Sequence, residues 1–320
     1  MRSPKKKPFS HSRVNSKFKV TNWSEYNDFL RRRGRIDFMI SENLCDGWYE
    51  DDHLNKKPGR QKIYSEQAII HVLKIRYLFG LKLRQTQGFL DWIFKMVDLA
   101  IKCPDYTTLS KRGKKLKIKL EAINNNEEVS YVYMDSSGIQ TYTGNEWLEN
   151  KHRKRHNRRT WKKIHLVVND NGLIAANSTT DHNVDDRAQV GELLTNINTK
   201  EFLADPGYDG EDMYQLLRSK GIKTTIRPPN RPAESKMDHL KTERDIEVEY
   251  QQHKGYQAWR VKNKYGRREI SENTFFRFKG SFGSRFLSRG IENMRNKITI
   301  KCQLLNKMFQ IGKPISIRTG

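Results

Sequence analysis

Two aspartates stand in sequence contexts that suit the binding of a hard metal ion. Asp135 follows the β-prone run Tyr131–Met134, and Asp205 follows the short apolar run Glu201–Ala204. We expect both to lie at the carboxyl ends of strands, where α/β sheets commonly build their sites. Mg²⁺ prefers oxygen ligands, and a pair of such ions promotes phosphoryl transfer. A lone aspartate after a strand is usually a turn former or a helix cap, so the interpretation as a metal site needs a third ligand.

A third ligand lies on one predicted helical face, which carries four residues spaced three, four and seven apart: Tyr265, Arg268, Glu272 and Lys279. At roughly 100° per residue, all four fall within an arc of about 60°. The face offers one carboxylate for a metal and two cations for phosphate groups. The alternative is a solvated surface with an Arg268–Glu272 pair, worth a few tenths of a kcal/mol. An apolar stripe beside this face predicts docking on a sheet: Phe275, Phe278 and Phe282.

The elements that must position these residues are predicted to form a mixed α/β sheet domain over residues 126–320. Strands are predicted at 131–134, 139–142, 164–168, 201–204 and 223–226, and helices at 184–197 and 211–218. The first two strands would form a hairpin with Ser136-Ser137-Gly138 as its turn. Residues 230–262 are charged and interrupted, which predicts a short, loop-rich insertion before the last catalytic helix.

The charge balance of the chain is strongly positive. The sequence holds 61 Lys and Arg against 37 Asp and Glu, a formal net charge of +24 at pH 7. This excess favours a polyanionic partner, because neutralisation of phosphates by Lys and Arg releases counterions. A purely structural protein is the function class that is hardest to reconcile with such a charge.

The residues that precede the sheet domain divide into a basic arm and a helical region. Residues 1–20 hold seven Lys and Arg and no acid, which indicates a disordered arm that contacts DNA. Residues 21–125 predict a helical DNA-binding region, in which Ser65 is the N-cap and Gly80 the stop of a helix over 66–79. This pattern fits a helix-turn-helix reader of DNA ends and plain helical packing about equally well.

A dense basic segment, residues 151–163, lies between the two aspartates. It holds eight Lys and Arg and no acid. We expect five of its residues to form a track for a DNA backbone: Arg158, Arg159, Trp161, Lys162 and Lys163. The alternative is an exposed hairpin turn. His152 and His156 have the spacing of a zinc pair, but the surrounding cations disfavour a metal there.

The sequence carries no pattern typical of export or of membrane insertion. Its three cysteines lie far apart and form no C-x-x-C pair, which fits free thiols in a reducing compartment. No apolar segment follows the basic N-terminus, and no run of about 18 apolar residues occurs. We therefore expect a soluble cytoplasmic protein without membrane contact.

The sequence resembles one family of insertion-sequence transposases. The spaced set Tyr265, Arg268, Glu272 and Lys279 resembles the Y-R-E-K signature of the IS4/IS5 type. Two N-terminal motifs of IS903-like members have counterparts at residues 22–26 and 30–34, which resemble them. The first-aspartate motif resembles residues 134–138, and the second-aspartate motif resembles residues 203–209. Between them, residues 158–166 resemble the family's basic strand. Because the motifs follow one another along nearly the whole chain, the sequence is identified as a member of the IS5-type DDE transposases.

This resemblance implies an RNase H-like fold whose DDE site binds two Mg²⁺ ions, or Mn²⁺, through three catalytic residues: Asp135, Asp205 and Glu272. It implies cut-and-paste transposition, in which water cuts the element's ends and the freed 3′-hydroxyl attacks target DNA. The implied partners are double-stranded DNA, as terminal inverted repeats and target, and a second copy of the chain in the bacterial nucleoid. Arg268 and Lys279 are expected to grip phosphates, and Tyr265 either stacks on a base or packs structurally.

Two other functions stay open at this point. A nuclease would use the same carboxylates without strand transfer. A domesticated or catalytically silent DNA-binding protein is expected to have lost at least one of the three carboxylates, and all three are present. The sequence therefore favours the enzyme.

Overall fold

The computed structural model places most of the chain in two compact units. The structure describes residues 18–40, 42–51, 62–120, 129–141, 161–229, 241–286, 288 and 290–319. Residues 18–40 and 308–319 form the smaller unit, and the other described residues form the larger one. Residues 121–128 and residues 1–17 of the predicted arm lie outside the described residues.

The strands of the described residues are numbered in chain order: β1 (Phe18–Val20), β2 (Val132–Thr141), β3 (Trp161–Asn169), β4 (Ile174–Asp181), β5 (Glu201–Ala204), β6 (Lys223–Ile226), β7 (Arg285–Phe286) and β8 (Ser316–Arg318). In the smaller unit, β1 pairs antiparallel with β8. The other six strands form the sheet of the larger unit.

The α-helices are numbered in the same way: α1 (Trp23–Arg33), α2 (Glu66–Leu78), α3 (Leu83–Met96), α4 (Tyr106–Gly113), α5 (Val190–Leu193), α6 (Glu211–Ser219), α7 (Glu243–Lys262), α8 (Glu269–Phe282) and α9 (Ile291–Ile311). A 3₁₀ turn, Tyr265–Arg268, leads directly into α8. No helix among the described residues has the length and apolar character that crossing a membrane requires.

The six-stranded sheet is mixed, as predicted. Its strand order is β4-β3-β2-β5-β6, and β7 pairs with the far end of β2. The β2–β3 and β3–β4 pairs are antiparallel, whereas the β2–β5 and β5–β6 pairs are parallel. β2 is therefore the central strand, at which an antiparallel half of the sheet meets a parallel half.

Side chains alternate along each strand, so both faces of this sheet carry apolar residues. Helices cover both faces. Residues of β2, β3 and β5 on one face pack against α5 and α6 in a core that includes Met134, Val167, Phe202, Val190 and Leu217. The opposite face packs against α8 and α9, and this core includes Ile139, Leu166, Phe275, Phe278 and Ile298. Two of the three aromatic residues predicted to dock α8 are thus buried, and Phe282 packs at the edge of the same core.

Helices α2, α3 and α4 agree with the predicted helical region. The Ser65 hydroxyl accepts a hydrogen bond from the Ala68 N–H at 3.1 Å, which confirms Ser65 as the N-cap of α2. Gly80 has a φ of +67°, a conformation that favours glycine and ends the helix. Along α3, Leu90 is buried and Trp92 is exposed, so the helix has one packed face.

The hairpin predicted over 131–142 is wrong, because residues 132–141 form one continuous strand. β2 pairs with β3 along its length, with Asp135 opposite Leu166, so the Ser-Ser-Gly sequence lies inside a strand. A Cβ atom on Gly138 would lie 3.3 Å from the Trp161 ring. The glycine therefore marks a close approach between neighbouring strands rather than a turn.

The edge strand β4 was not among the predicted strands, and the helix predicted at 184–197 is shorter than expected. β4 reads Ile-Ala-Ala-Asn-Ser-Thr-Thr-Asp, and its polar side chains find partners on distant elements. Asn177 donates to the Thr299 hydroxyl, and the Ser178 hydroxyl donates to Gln189. The helical part of 184–197 is limited to a 3₁₀ turn at 187–189 and to α5.

The loop-rich character predicted for 230–262 is wrong for residues 243–262, which form α7. Thr242 caps this helix by accepting a hydrogen bond from the Asp245 N–H, and Asp245 accepts one in return. Gly255, with a φ of +80°, interrupts the helix. The sequence lacks an apolar stripe here because Trp259 is the only large apolar residue that α7 buries. Residues 230–240 lie outside the described part of the chain.

Candidate functional site

The sheet places Asp135 and Asp205 side by side. In the parallel β2–β5 pair, Tyr133 lies opposite Leu203, and each aspartate follows two residues later. Asp205 comes directly after β5, as predicted, and its carboxylate accepts a hydrogen bond from the Gly207 N–H at 2.9 Å. Asp135 instead lies inside β2, so its predicted position at a strand end is wrong. It still lies at the edge where β5 stops, which is why the two carboxylates meet.

Arg268 joins these aspartates to Glu272. Its guanidinium lies 3.1 Å from a Glu272 carboxylate oxygen, 3.5 Å from Asp135 and 4.0 Å from Asp205. Arg268 ends the 3₁₀ turn before α8, and Glu272 follows one helical turn later on the same face. Three carboxylates, one in β2, one directly after β5 and one in α8, therefore converge on one cation.

The three carboxylates form an all-oxygen donor set of the kind that Mg²⁺ prefers. The Asp135 side chain is only 14% exposed, and burial raises its pKa to about 6 although Arg268 opposes this shift. Within the described ranges, no group of three His, Cys, Asp or Glu side chains has the arrangement of a formed metal site. The donor chemistry fits a divalent cation, and the cation that contacts these oxygens here is the Arg268 guanidinium.

Tyr265 supports the loop that carries Asp205. The residue is 4% exposed, and its hydroxyl donates to the Ala204 carbonyl oxygen at 2.9 Å. The ring packs edge-on against Trp259, with the ring centroids 5.0 Å apart. Of the two roles considered from the sequence, packing is the one that this buried position favours.

Tyr265→Phe is expected to lower the free energy of unfolding by about 1–2 kcal/mol, because it leaves the Ala204 carbonyl without this donor. Urea unfolding followed by circular dichroism measures the loss. Tyr256→Phe removes a hydroxyl from the same aromatic cluster without touching this bond, and it serves as the control. Equal stability of the two variants would contradict a role for the hydroxyl in holding the end of β5.

Lys279 reaches the same side of the sheet from the end of α8. Its ammonium donates to the Ser137 hydroxyl at 2.6 Å. Ser137 lies two residues beyond Asp135, and side chains two apart along a strand point to the same face. All four residues of the predicted helical face therefore contact β2, the end of β5, or each other.

A polar network lies on the opposite face of β2. Asp186 accepts hydrogen bonds from the Ser136 hydroxyl at 2.7 Å and from the Lys163 ammonium at 2.9 Å. His165, with no exposed surface, lies 3.8 Å from the same carboxylate and bonds to Thr180 on β4. The sequence pattern did not indicate this network, because its members come from three strands and a loop.

The residues of the predicted basic track are only partly described. Trp161 is 46% exposed, and Lys162 forms an ion pair with Asp181 on the neighbouring strand. Lys163 takes part in the Asp186 network. Arg158 and Arg159 lie outside the described residues, as do the two histidines considered as a zinc pair.

Arg244 and Asp209 form a buried ion pair that sequence reasoning missed. Their side chains are 8% and 4% exposed, and two guanidinium nitrogens contact the carboxylate at 2.7–3.1 Å. Asp209 follows Asp205 by four residues, and Arg244 lies in the first turn of α7. The pair therefore ties α7 to the loop that leaves the candidate site.

Comparison with known proteins identifies the family. Among solved structures, the chain is similar to one described as the cryo-EM structure of piggyBac transposase synaptic complex with hairpin DNA. The two share 10% sequence identity, with a TM-score of 0.35, over 87% of this chain and 75% of that chain. Two family models, both described as a transposase DDE domain, match residues 31–144 and 130–307. The second match spans more than half of the 320 residues and contains all three carboxylates, so the chain belongs to the DDE transposases.

Proposed function

We propose that this protein is a cut-and-paste transposase that cleaves DNA at the ends of an insertion sequence and joins the freed 3′-hydroxyl to target DNA. The observation that carries the proposal is the convergence of Asp135, Asp205 and Glu272 on one guanidinium. The order of residue motifs further supports assignment to the IS5 family and its IS903-like group. The strand order, three antiparallel strands followed by two parallel ones, supports an RNase H-like catalytic domain.

In this proposal, the three carboxylates hold two Mg²⁺ ions, for which Mn²⁺ substitutes. The chemistry that such ions supply is activation of the attacking oxygen and stabilisation of the leaving oxygen. Arg268 and Lys279 contact phosphates beside the scissile bond, the first through a planar fork and the second as a point charge. Tyr265 positions Asp205 from within the core and takes no covalent part.

The proposed substrate is double-stranded DNA in the bacterial nucleoid, both as terminal inverted repeats and as target. The net charge of +24 supports this choice. We propose that residues 1–20 and the helical region 21–125 bind the ends, and that Trp161, Lys162 and Lys163 line a backbone track with Arg158 and Arg159. We expect at least two copies of the chain to assemble on DNA, because two ends are held at once.

The experiment that tests this function uses inverted repeats identified beside the gene. Purified protein is incubated with a labelled duplex carrying one such repeat, a supercoiled plasmid and Mg²⁺. We expect nicks at the repeat boundary and covalent joining of the labelled 3′ end to the plasmid. Cleavage without joining would support a nuclease instead, and binding without either reaction would support a catalytically silent DNA-binding protein.

Arg268→Gln is expected to strengthen the binding of Mn²⁺ in the absence of DNA by about tenfold or more, since a cation within 4.0 Å of all three carboxylates repels a second cation. Titration of Mn²⁺ followed by electron paramagnetic resonance measures this affinity. The same variant is expected to cleave DNA more slowly, because it lacks a phosphate contact.

Arg267→Gln is the matched control for this change, because Arg267 is the adjacent arginine and pairs with Glu201. Its Mn²⁺ affinity should stay near that of the wild type. If Arg268→Gln and Arg267→Gln bind Mn²⁺ equally well, the metal does not bind at the carboxylates that surround Arg268.

A further inference from the structure

A cavity of about 600 Å³ opens beside helices α2, α4, α8 and α9. None of the three catalytic carboxylates lines it. Its walls come from the end of α2 and the turn that follows, from α4, from the end of α8, and from α9. The volume falls within the range of about 300–1,000 Å³ that is typical of sites for small molecules and cofactors.

The charged side chains among the described residues that line this cavity all have one sign. Five cationic side chains line it: Arg76, Lys82, Arg285, Lys297 and Lys301. No Asp or Glu is found among the described residues of its walls. Crowded cations repel one another, so a wall of this kind is stabilised when an anion binds between them.

Lys301 is the most buried of these cations, with 5% of its surface exposed. Its ammonium donates to the Phe282 carbonyl oxygen at 3.1 Å and lies 4.3 Å from the centroid of the Phe286 ring. The Lys297 ammonium lies 5.1 Å from the same ring. An ammonium has three donors, so the carbonyl bond leaves donors of Lys301 for a ligand.

The aromatic rings offer a purely structural explanation, since cations pack favourably on ring faces. The rings and the carbonyl are neutral, however, and they do not offset the repulsion between the cations. Burial, helped by Lys297 and Arg76, lowers the pKa of Lys301 to about 7. Burial likewise lowers the pKa of Lys297 to about 8. Among the described residues of the walls, no carboxylate pairs with these lysines, and an anionic ligand would supply that counter-charge.

We propose that this cavity binds a phosphate group, and that the phosphate belongs to the backbone of bound DNA. The choice of DNA rests on the proposed function and on the position of the cavity along β2. Arg285 in its wall pairs with Gln140, which lies five residues beyond Asp135 on that strand. At about 3.4 Å per residue, the distance along β2 from Asp135 to Gln140 is about 17 Å, which equals about five nucleotides of one DNA strand.

Lys301→Met tests the site, because methionine keeps an unbranched side chain and removes the charge. The variant should fold at neutral pH, since burial opposes the charge that is lost. Lys307→Met is the matched control, because it replaces a lysine by the same residue at an exposed position on the same helix. Thermal unfolding checks that both variants are folded.

The first measurement is the salt dependence of binding to a duplex of arbitrary sequence. Lys301→Met should lower the slope of log K against log salt concentration by about 0.9, the value of one lost phosphate contact. Lys307→Met should stay nearer the wild type. A slope for Lys301→Met that equals those of the wild type and of Lys307→Met would overturn the assignment to DNA.

The second measurement uses inorganic pyrophosphate as the probe, at constant ionic strength. Pyrophosphate should raise the unfolding temperature of the wild type and of Lys307→Met, and much less that of Lys301→Met. Equal shifts in all three proteins would overturn the anion site. Lys301→Met could lose the stabilisation by pyrophosphate and still keep the wild-type salt slope for DNA. That result would assign the site to free phosphate compounds and overturn its assignment to DNA.

The outcomes for the site and for the proposed function are separable. If the wild-type protein cleaves and joins DNA, but Lys301→Met matches Lys307→Met in both measurements, only the phosphate site in the cavity is refuted. Wild-type protein that binds pyrophosphate through Lys301 but shows no reaction on DNA would refute the function and keep the anion site.

Discussion

Asp135→Asn, Asp205→Asn and Glu272→Gln are each expected to lower Mg²⁺-dependent DNA cleavage by at least about a thousandfold. These substitutions keep the shape of each side chain and remove one negative charge from the shared site. Metal ions contribute several kcal/mol to such reactions, and each 1.36 kcal/mol corresponds to about a factor of ten in rate. Cleavage of a labelled duplex that carries the terminal repeat measures the loss.

Binding to the same duplex should remain largely intact in these variants, because the basic surface of the protein is unchanged. Gel-shift titration measures this binding. Glu269→Gln is the control for Glu272→Gln, since Glu269 lies three residues earlier on α8 and pairs with Arg260 instead. Cleavage at the wild-type rate in any of the three variants would remove that carboxylate from the catalytic site.

Arg244→Met is expected to lower the free energy of unfolding by about 3–5 kcal/mol, because it leaves the Asp209 carboxylate buried without its partner. Asp209 is only 4% exposed in its side chain, so water does not replace the lost contacts. The denaturation midpoint in urea should fall in proportion, with an unchanged slope of the transition.

Arg260→Met provides the comparison on the same helix. Arg260 and Glu269 form an ion pair whose side chains are 39% and 69% exposed. An exposed pair of this kind contributes about 0.2–1 kcal/mol. If Arg244→Met costs no more than Arg260→Met, the buried pair does not anchor α7 to the loop that follows Asp205.

The parts of the fold that were predicted correctly have strong local signals. β5 contains the apolar run Phe202–Ala204 directly before Asp205, and α2 has a capping serine and a terminal glycine. Such features act within a few residues, so a single sequence reveals them. The family motif likewise drew attention to Arg268 and Glu272, which lie one helical turn apart.

The parts that were missed depend on contacts between distant segments. Ser-Ser-Gly after Asp135 has the composition of a turn, yet β3 pairs along it and the Trp161 ring needs the space beside Gly138. β4 has few large apolar residues. Its polar side chains instead form hydrogen bonds with α9 and with the 3₁₀ turn at 187–189. Local composition does not reveal such partners.

The candidate site shows the same division. The grouping of Asp135, Asp205 and Glu272 at one place was expected from residue type, spacing and the family resemblance. The position of Arg268 among all three carboxylates was not, because it depends on the parallel register of β2 and β5. Arg244 was missed for the same reason, since its partner lies on a separate segment of the chain.

The most direct test of the proposed metal site is cleavage of the protein backbone by bound iron. Fe²⁺ is added to the purified protein in place of Mg²⁺, hydroxyl radicals are generated with ascorbate and peroxide, and the fragments are mapped by mass spectrometry. We predict cuts clustered at Asp135, Asp205 and Glu272, suppressed by excess Mg²⁺ and absent from Asp135→Asn. Cuts confined to other acidic residues, or unaffected by Mg²⁺, would contradict the assignment of these carboxylates as the metal site.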